Sequence, residues 1–152
     1  MTQEELFDLA NKCGVEIVEE TDKKFIPINI DFDSTLVLHR YPNVGKDIPF
    51  AVKTLKRWIK DYNVGLILHT SRGDESDLTP CLKWFAEHDI PLWGIGKNPT
   101  QDKWCKSSKS FGYYIDDMCA GMPLIFAKGE RPYIDWLKLN EYFEPMLKLL
   151  KD

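Results

Sequence analysis

The chain has 152 residues, 43 % of them hydrophobic and 12 % aromatic, which suits one domain with a single core. Its formal net charge of −4 arises in the first 24 positions, where Glu4, Glu5, Asp8, Glu16, Glu19, Glu20 and Asp22 face Lys12, Lys23 and Lys24; the balanced remainder carries no chain-wide nucleic-acid signature. Cys13, Cys81, Cys105 and Cys119 form no C-x-x-C pair, no apolar run approaches the ~20 residues of a membrane span, and the acidic start lacks a basic signal region, so a cytoplasmic protein with reduced thiols and no membrane partner is expected.

Leu6, Leu9 and Ala10 share one face of a predicted helix over residues 3–12, stopped by Gly14, and residues 1–24 read as an N-terminal extension. Ile26-Pro-Ile-Asn-Ile30 reads as a buried strand that runs directly into Asp31 and Asp33. The segment after Val37, Leu-His-Arg-Tyr-Pro-Asn-Val-Gly45, is rich in turn formers and is expected to fold over those aspartates as a loop or hairpin. Asp47 and Pro49 announce a helix with Val52, Leu55, Trp58, Ile59 and Tyr62 as its apolar stripe. Val64 to His69 is a second buried strand, ending in Thr70-Ser71-Arg72.

Leu78, Cys81, Leu82 and Phe85 mark the next helix, with Ser76 or Asp77 as its cap and Pro80 in its first turn. Ile90 to Ile95 is a third strand. The polar stretch Gly96 to Ser110 sets Lys97, Lys103, Lys106 and Lys109 against Asp102 alone, and contains Trp104, a candidate for stacking on a base or sugar. Phe111 to Ile115 is a fourth strand ending in Asp116-Asp117, and Pro123 to Phe126 a fifth. Asn140 is placed as the cap of a closing helix with Phe143, Met146, Leu147 and Leu150 inward. Residues 25–127 then form the core of a single domain, and 128–152 a C-terminal helical extension.

Apolar strands alternating with helices predict an α/β fold: a mainly parallel five-stranded sheet covered on both faces, a three-layer sandwich. Ligands of such sheets bind beyond the carboxyl ends of the strands, where three strands deliver Asp31 and Asp33, Thr70 to Arg72, and Asp116 and Asp117. Four carboxylates at one rim demand a cation, and an all-oxygen donor set favours Mg²⁺. A hydroxyl from Thr70 or its neighbour Ser71, and a lysine from the basic stretch, suit the oxygens of a phosphate. One carboxylate can then attack phosphorus while another moves protons.

In this order, Asp31-Phe-Asp33-Ser-Thr35-Leu-Val, Leu-Ile-Leu-His-Thr70-Ser-Arg, Lys109, and Tyr-Tyr-Ile-Asp116-Asp117 resemble the four motifs of the haloacid dehalogenase (HAD) superfamily of phosphohydrolases. The stretch from Asp31 to Gly45, with Ile-Pro-Phe-Ala-Val-Lys-Thr-Leu behind it, is similar to small bacterial and phage HAD hydrolases. The resemblance covers about Ile26 to Phe126. It implies a phosphatase working through an aspartyl-phosphate, with Asp31 as nucleophile and Asp33 as general acid and then base. It implies Thr70 and Lys109 as phosphate ligands, with Lys106 a rival to Lys109. Around Mg²⁺ it implies Asp31, Asp116, Asp117 and the carbonyl of Asp33.

Ser34 departs from the pattern, where glycine is commoner. The 38 residues between Asp31 and Thr70 leave no room for a cap domain. Similar capless proteins act on large or exposed phosphates or borrow a neighbouring subunit as lid, which points to the size of a substrate and not to its identity; a nucleotide or nucleic-acid end is the candidate substrate and a homo-oligomer the candidate assembly. His39, Arg40 and Tyr41 fall where a flap over the pocket would be and are candidates for selecting substrate, and Arg72 could reach substrate phosphate or pair with Asp74 or Glu75. His69 is expected to point away from Thr70 into the layer flanking the sheet. Two other classes compete: a catalytically silent binding protein of the same fold, and a receiver-like phosphoacceptor domain, whose acidic pair and phosphorylated aspartate come in the opposite order.

Overall fold

A computed structural model describes residues 1–151. Four strands form a parallel sheet in the order β5-β4-β1-β6, made of β1 (Ile26–Ile30), β4 (Val64–Leu68), β5 (Gly94–Ile95) and β6 (Tyr113–Ile115). From β1 the chain steps twice in one direction, to β4 and β5, then returns to the other side of β1 as β6. The reversal opens a crevice between the carboxyl ends of β1 and β6, the usual ligand position in such sheets. Between β1 and β4 lie only a hairpin, β2 (Val37–Arg40) with β3 (Asn43–Asp47), and helix α2 (Ala51–Tyr62).

Register explains the layers. Ile26, Ile28 and Ile30 pair with Val64, Leu66 and Leu68, and side chains at paired positions of a parallel sheet share a face. That face carries the main core, to which all four helices contribute: Leu9 and Ala10 of α1 (Gln3–Lys12), Leu55 and Trp58 of α2, Leu82 and Phe85 of α3 (Glu75–Glu87), and Trp136, Phe143 and Leu147 of α4 (Trp136–Lys151). The terminal segments are thus built into the core: α1 packs on α3 and β5, and α4 on α2 and β1.

On the opposite face stand Pro27, Asn29, Gly65, Ile67 and Tyr114. They are covered by Phe25, Trp93 and the irregular stretch 96–112, whose only regular piece is a 3₁₀ turn over Gln101–Lys103. The expected second helical layer is therefore replaced by loop. The segment from β5 to β6 must cross the whole sheet, and its lysines, serines and Pro99 give it no apolar helical stripe to bury.

Other expectations change as well. The fifth strand leaves the sheet: β7 (Leu124–Ile125) pairs antiparallel with β8 (Tyr133–Ile134) as a separate ribbon, so the parallel sheet has four strands among the described residues. Helix α3 has Asp74, not Ser76 or Asp77, at its N-cap position and holds Pro80 in its interior, where burial of Leu78, Cys81, Leu82, Trp84 and Phe85 outweighs one missing helical hydrogen bond. Asn140 caps nothing. Its side-chain oxygen accepts from Trp58 Nε1 at 2.8 Å, and α4 instead begins after Asp135, whose carboxylate accepts from the Lys138 N–H. No helix of the described residues is long and apolar enough to cross a membrane.

Candidate active site

The turn after β1 is held from two sides. The Asp31 N–H donates to the Ile115 carbonyl at 3.0 Å, tying the ends of β1 and β6 together. Trp136 Nε1 donates to the Thr35 carbonyl at 2.7 Å, and the Ile134 N–H to the Ser34 carbonyl at 3.2 Å, so α4 and β8 brace the turn from behind. Phe32 points into the core, edge-on to Trp84 at 5.5 Å. Alternation about this buried residue leaves Asp31 and Asp33 on the open side. Ser34 adopts φ +64°, a left-handed conformation that costs a residue with a Cβ, which explains why a glycine would suit this position.

Asp31, Asp116 and Asp117 each bring a carboxylate oxygen within 4.8 Å of the others. The hydroxyl of fully buried Thr35 ties them together: it donates to Asp31 Oδ2 at 3.0 Å and accepts from the Asp117 N–H at 3.2 Å. Thr35 stands in the first motif, but its place there does not by itself reveal this role. None of the three aspartates makes an ion pair among the described residues. Burial, the hydrogen bond with Asp117 and the charge of Asp116 push Asp31 up to about 8. Burial and the charge of Asp116 also raise Asp117, although its hydrogen bond to Asp31 opposes them. Clustered acids behave so when no cation is among them, and an all-carboxylate set fits a hard divalent ion.

Asp33 belongs to a different arrangement. Arg72 Nε donates to its Oδ2 and Arg72 Nη2 to its Oδ1, both at 2.8 Å. The remaining guanidinium donors go to the carbonyls of Pro42, Asn43 and Asp77, and the group lies 5.2 Å from the ring centres of Phe32 and Tyr41. With its side chain fully buried, Arg72 is neither a substrate contact nor a partner of Asp74 or Glu75; it fixes Asp33 and locks the hairpin to α3. The sequence hides this pairing because its members stand 39 positions apart.

A cavity of about 530 Å³ opens over these groups, lined by Asp31, Asp33, Asp116, Asp117, Thr70 and Ser71 on the sheet side and by His39, Tyr41, Met118 and Arg131 on the rim. The Thr70 hydroxyl oxygen accepts from the Arg72 N–H at 3.2 Å, leaving its own proton to donate. The hairpin forms the flap expected from the sequence. Of its residues, His39 and Tyr41 face the cavity, while Arg40 pairs with Glu130 at 2.5 Å. Tyr41 also donates to Asp77, and Asp47 accepts from Trp84 Nε1, so the flap is tethered to α3.

The lysines expected at the phosphate are elsewhere. Lys109 lines a neighbouring cavity, and Lys106 Nζ donates to the Asp102 carbonyl at 3.0 Å. The cation on the carboxylate cavity is Arg131, exposed and without an ion pair among the described residues. Nothing local in Gly-Glu-Arg-Pro marks it, since only the β7–β8 ribbon brings it over the aspartates. His69 obeys strand alternation and lies edge-on to Tyr114 at 5.1 Å, on the loop-covered face. Because that covering is open, it walls a cavity on each side instead of being buried in a flanking layer.

No family model matches the sequence, and no curated protein matches it. Among solved structures the chain is similar to a conserved protein from Bacteroides thetaiotaomicron, with a TM-score of 0.64 and 29 % identity, covering 81 % of this chain and 93 % of that one. The likeness accords with a mixed α/β, Rossmann-like fold.

Proposed function

We propose that the protein is a Mg²⁺-dependent phosphomonoester hydrolase of HAD type, acting through an aspartyl-phosphate on Asp31. The observation that carries this reading is the convergence of Asp31, Asp116 and Asp117 within 4.8 Å at the β1–β6 crevice, in a cavity that also holds Asp33, Thr70 and Ser71. The three carboxylates would hold the ion, with the Asp33 carbonyl added by resemblance. When bound, Mg²⁺ would neutralise the acidic cluster and withdraw charge from the phosphate oxygens.

A carboxylate oxygen of Asp31 bonds to phosphorus as the bond from phosphorus to the ester oxygen breaks, and a protonated Asp33 gives its proton to the departing oxygen. Water then attacks phosphorus, Asp33 takes its proton, and the bond to Asp31 breaks, releasing inorganic phosphate and restoring both carboxyl groups. Thr70 and Ser71 donate to the phosphate oxygens, and Arg131 supplies the side-chain positive charge that Lys109 was expected to give. Since Arg72 holds both oxygens of Asp33, proton transfer requires this carboxylate to turn out of that fork into the cavity.

The same fork favours a second reading, a binding protein that retains the site without turnover. Phosphate release from an aryl phosphate and from a panel of phosphate esters, with Mg²⁺ and with EDTA, separates the two. The hydrolase reading expects release that needs Mg²⁺ and vanishes in Asp31→Asn. Undiminished release in EDTA or in that variant would exclude the mechanism, and no turnover of any ester would favour the binder.

A further inference from the structure

We propose that the substrate is a single-stranded nucleic acid whose terminal phosphate enters the carboxylate cavity and whose adjoining bases lie on an aromatic track beginning at His69. For its reacting end this rests on the phosphatase reading; for its binding surface it stands on separate observations. His69 is a common wall of the carboxylate cavity and a second cavity of about 600 Å³. Phe111 in turn is a common wall of the second cavity and a third, of about 420 Å³. The three follow one another across the loop-covered side of the sheet, and together they extend well beyond what a phosphate needs.

The track is paved with rings. Tyr114 meets His69 edge-on, and Trp104 meets Phe111 edge-on at 5.0 Å. Trp104 and Phe111 are each 55 % exposed, and Tyr114 37 %, so large apolar surfaces face solvent where the chain had helices to cover them on the other face. Lysines accompany the rings: Lys109 in the second cavity, Lys103 and Lys24 in the third. Glu20, the acidic residue there, already accepts from the Phe25 N–H at 2.6 Å, and Asp102 is matched by Lys97 at 2.7 Å. A chain of net charge −4 is thus locally reversed along this path.

A further sign of a ligand comes from Ser110. The residue is 3 % exposed and lines the second cavity, yet its Oγ has no hydrogen-bond partner. A buried hydroxyl left unpaired is costly, and a turn of this side chain toward the cavity would let an entering group satisfy it. Rings alternating with lysines along a path are how single strands are held without regard to sequence, since every base has a face to stack and every residue of the strand a phosphate. A duplex offers no free base faces, and a mononucleotide would leave the third cavity, with its own rings and lysines, unused.

The test is fluorescence anisotropy of labelled eight-residue oligothymidylates carrying a 3′-phosphate, a 5′-phosphate or neither, titrated with the Asp31→Asn protein in Mg²⁺. One phosphorylated form should bind most tightly and identify the end that is read. Trp104→Ala and Phe111→Ala should each weaken it about tenfold or more, the size of a lost base stack. Lys103→Ala should reduce the salt dependence by roughly 0.7 in slope. Both rings are exposed, so these variants should fold and, on an Asp31 background, hydrolyse a small aryl phosphate unchanged.

Oligonucleotide binding that ignores both aromatic replacements, or that is as tight for the duplex, overturns the proposal. So does hydrolysis of small esters with no binding of any oligonucleotide, an outcome that leaves the phosphatase reading standing. Ring-dependent oligonucleotide binding without turnover of any ester would uphold the track and reject the phosphatase.

Discussion

Replacing Asp31 by asparagine should stabilise the metal-free protein, by an amount that grows with pH. In the folded chain Asp31 is pushed up to about 8 by burial, its bond to Asp117 and the charge of Asp116, against an ordinary value of 3.8. Between these values the folded state binds more protons than the unfolded state, so stability falls as pH rises and the full loss is reached only above about 8. A tenfold weaker acid in the folded state corresponds to about 1.4 kcal/mol, and because Asp31 borders an open cavity the net loss between pH 5 and 8 should be about 2 kcal/mol. For a domain of this size that is roughly 4–8 °C in Tm. Thermal unfolding of the wild type and Asp31→Asn in EDTA, at pH 5, 7 and 8.5, measures it. The two curves should diverge as pH rises, and Mg²⁺ should close the gap by stabilising the wild type most at the highest pH. A difference in Tm independent of pH, with no response to Mg²⁺, would refute the account of the acidic cluster.

Asp33→Asn should slow turnover by about 10² to 10⁴ with the Mg²⁺ dependence kept, as loss of a proton-transfer group does; an unchanged rate removes Asp33 from the chemistry. Steady-state kinetics on an aryl phosphate should show Arg131→Ala reducing kcat/KM about tenfold or more while Lys109→Ala leaves it within about twofold, and the reverse ranking would restore the lysine expected from the sequence. Ser34→Gly should raise stability by about 0.5–1 kcal/mol in denaturant unfolding, because relief of the left-handed strain exceeds the added freedom of the unfolded chain. Trp58→Ala, which empties a fully buried site and strands the Asn140 side chain, should cost about 3–5 kcal/mol.

Much of the helical side was legible because periodicity is a local signal. Leu55, Trp58 and Tyr62 are buried as their spacing required, and the β1 and β4 runs form the centre of the sheet. The turn-rich stretch after Val37 became the hairpin, with Tyr41 and Pro42 in the turn between the paired residues Arg40 and Asn43. What failed depended on partners far along the chain. Pro123 to Phe126 has strand composition, yet which neighbour it pairs with is decided by where Tyr133 and Ile134 return. Asn140 looks like a cap because side-chain amides cap helices, but Trp58 lies within reach of it in space.

The sequence by itself determined the order in which acids arrive: Asp31 and Asp33 after one apolar strand, Asp116 and Asp117 after another, with alternation forcing Phe32 inward and its neighbours outward. Only the tertiary structure decided what each acid meets. Threading β6 beside β1 puts Asp116 and Asp117 against Asp31, whereas the hairpin and α3 deliver Arg72 to Asp33. It also decided that Arg131, and not Lys109, faces the carboxylates, since a loop that crosses the open face of the sheet carries its lysines past the crevice while the β7–β8 ribbon carries an arginine over it. Charge and spacing along a chain name the groups available for chemistry; which of them share a cavity depends on crossovers that no local pattern records.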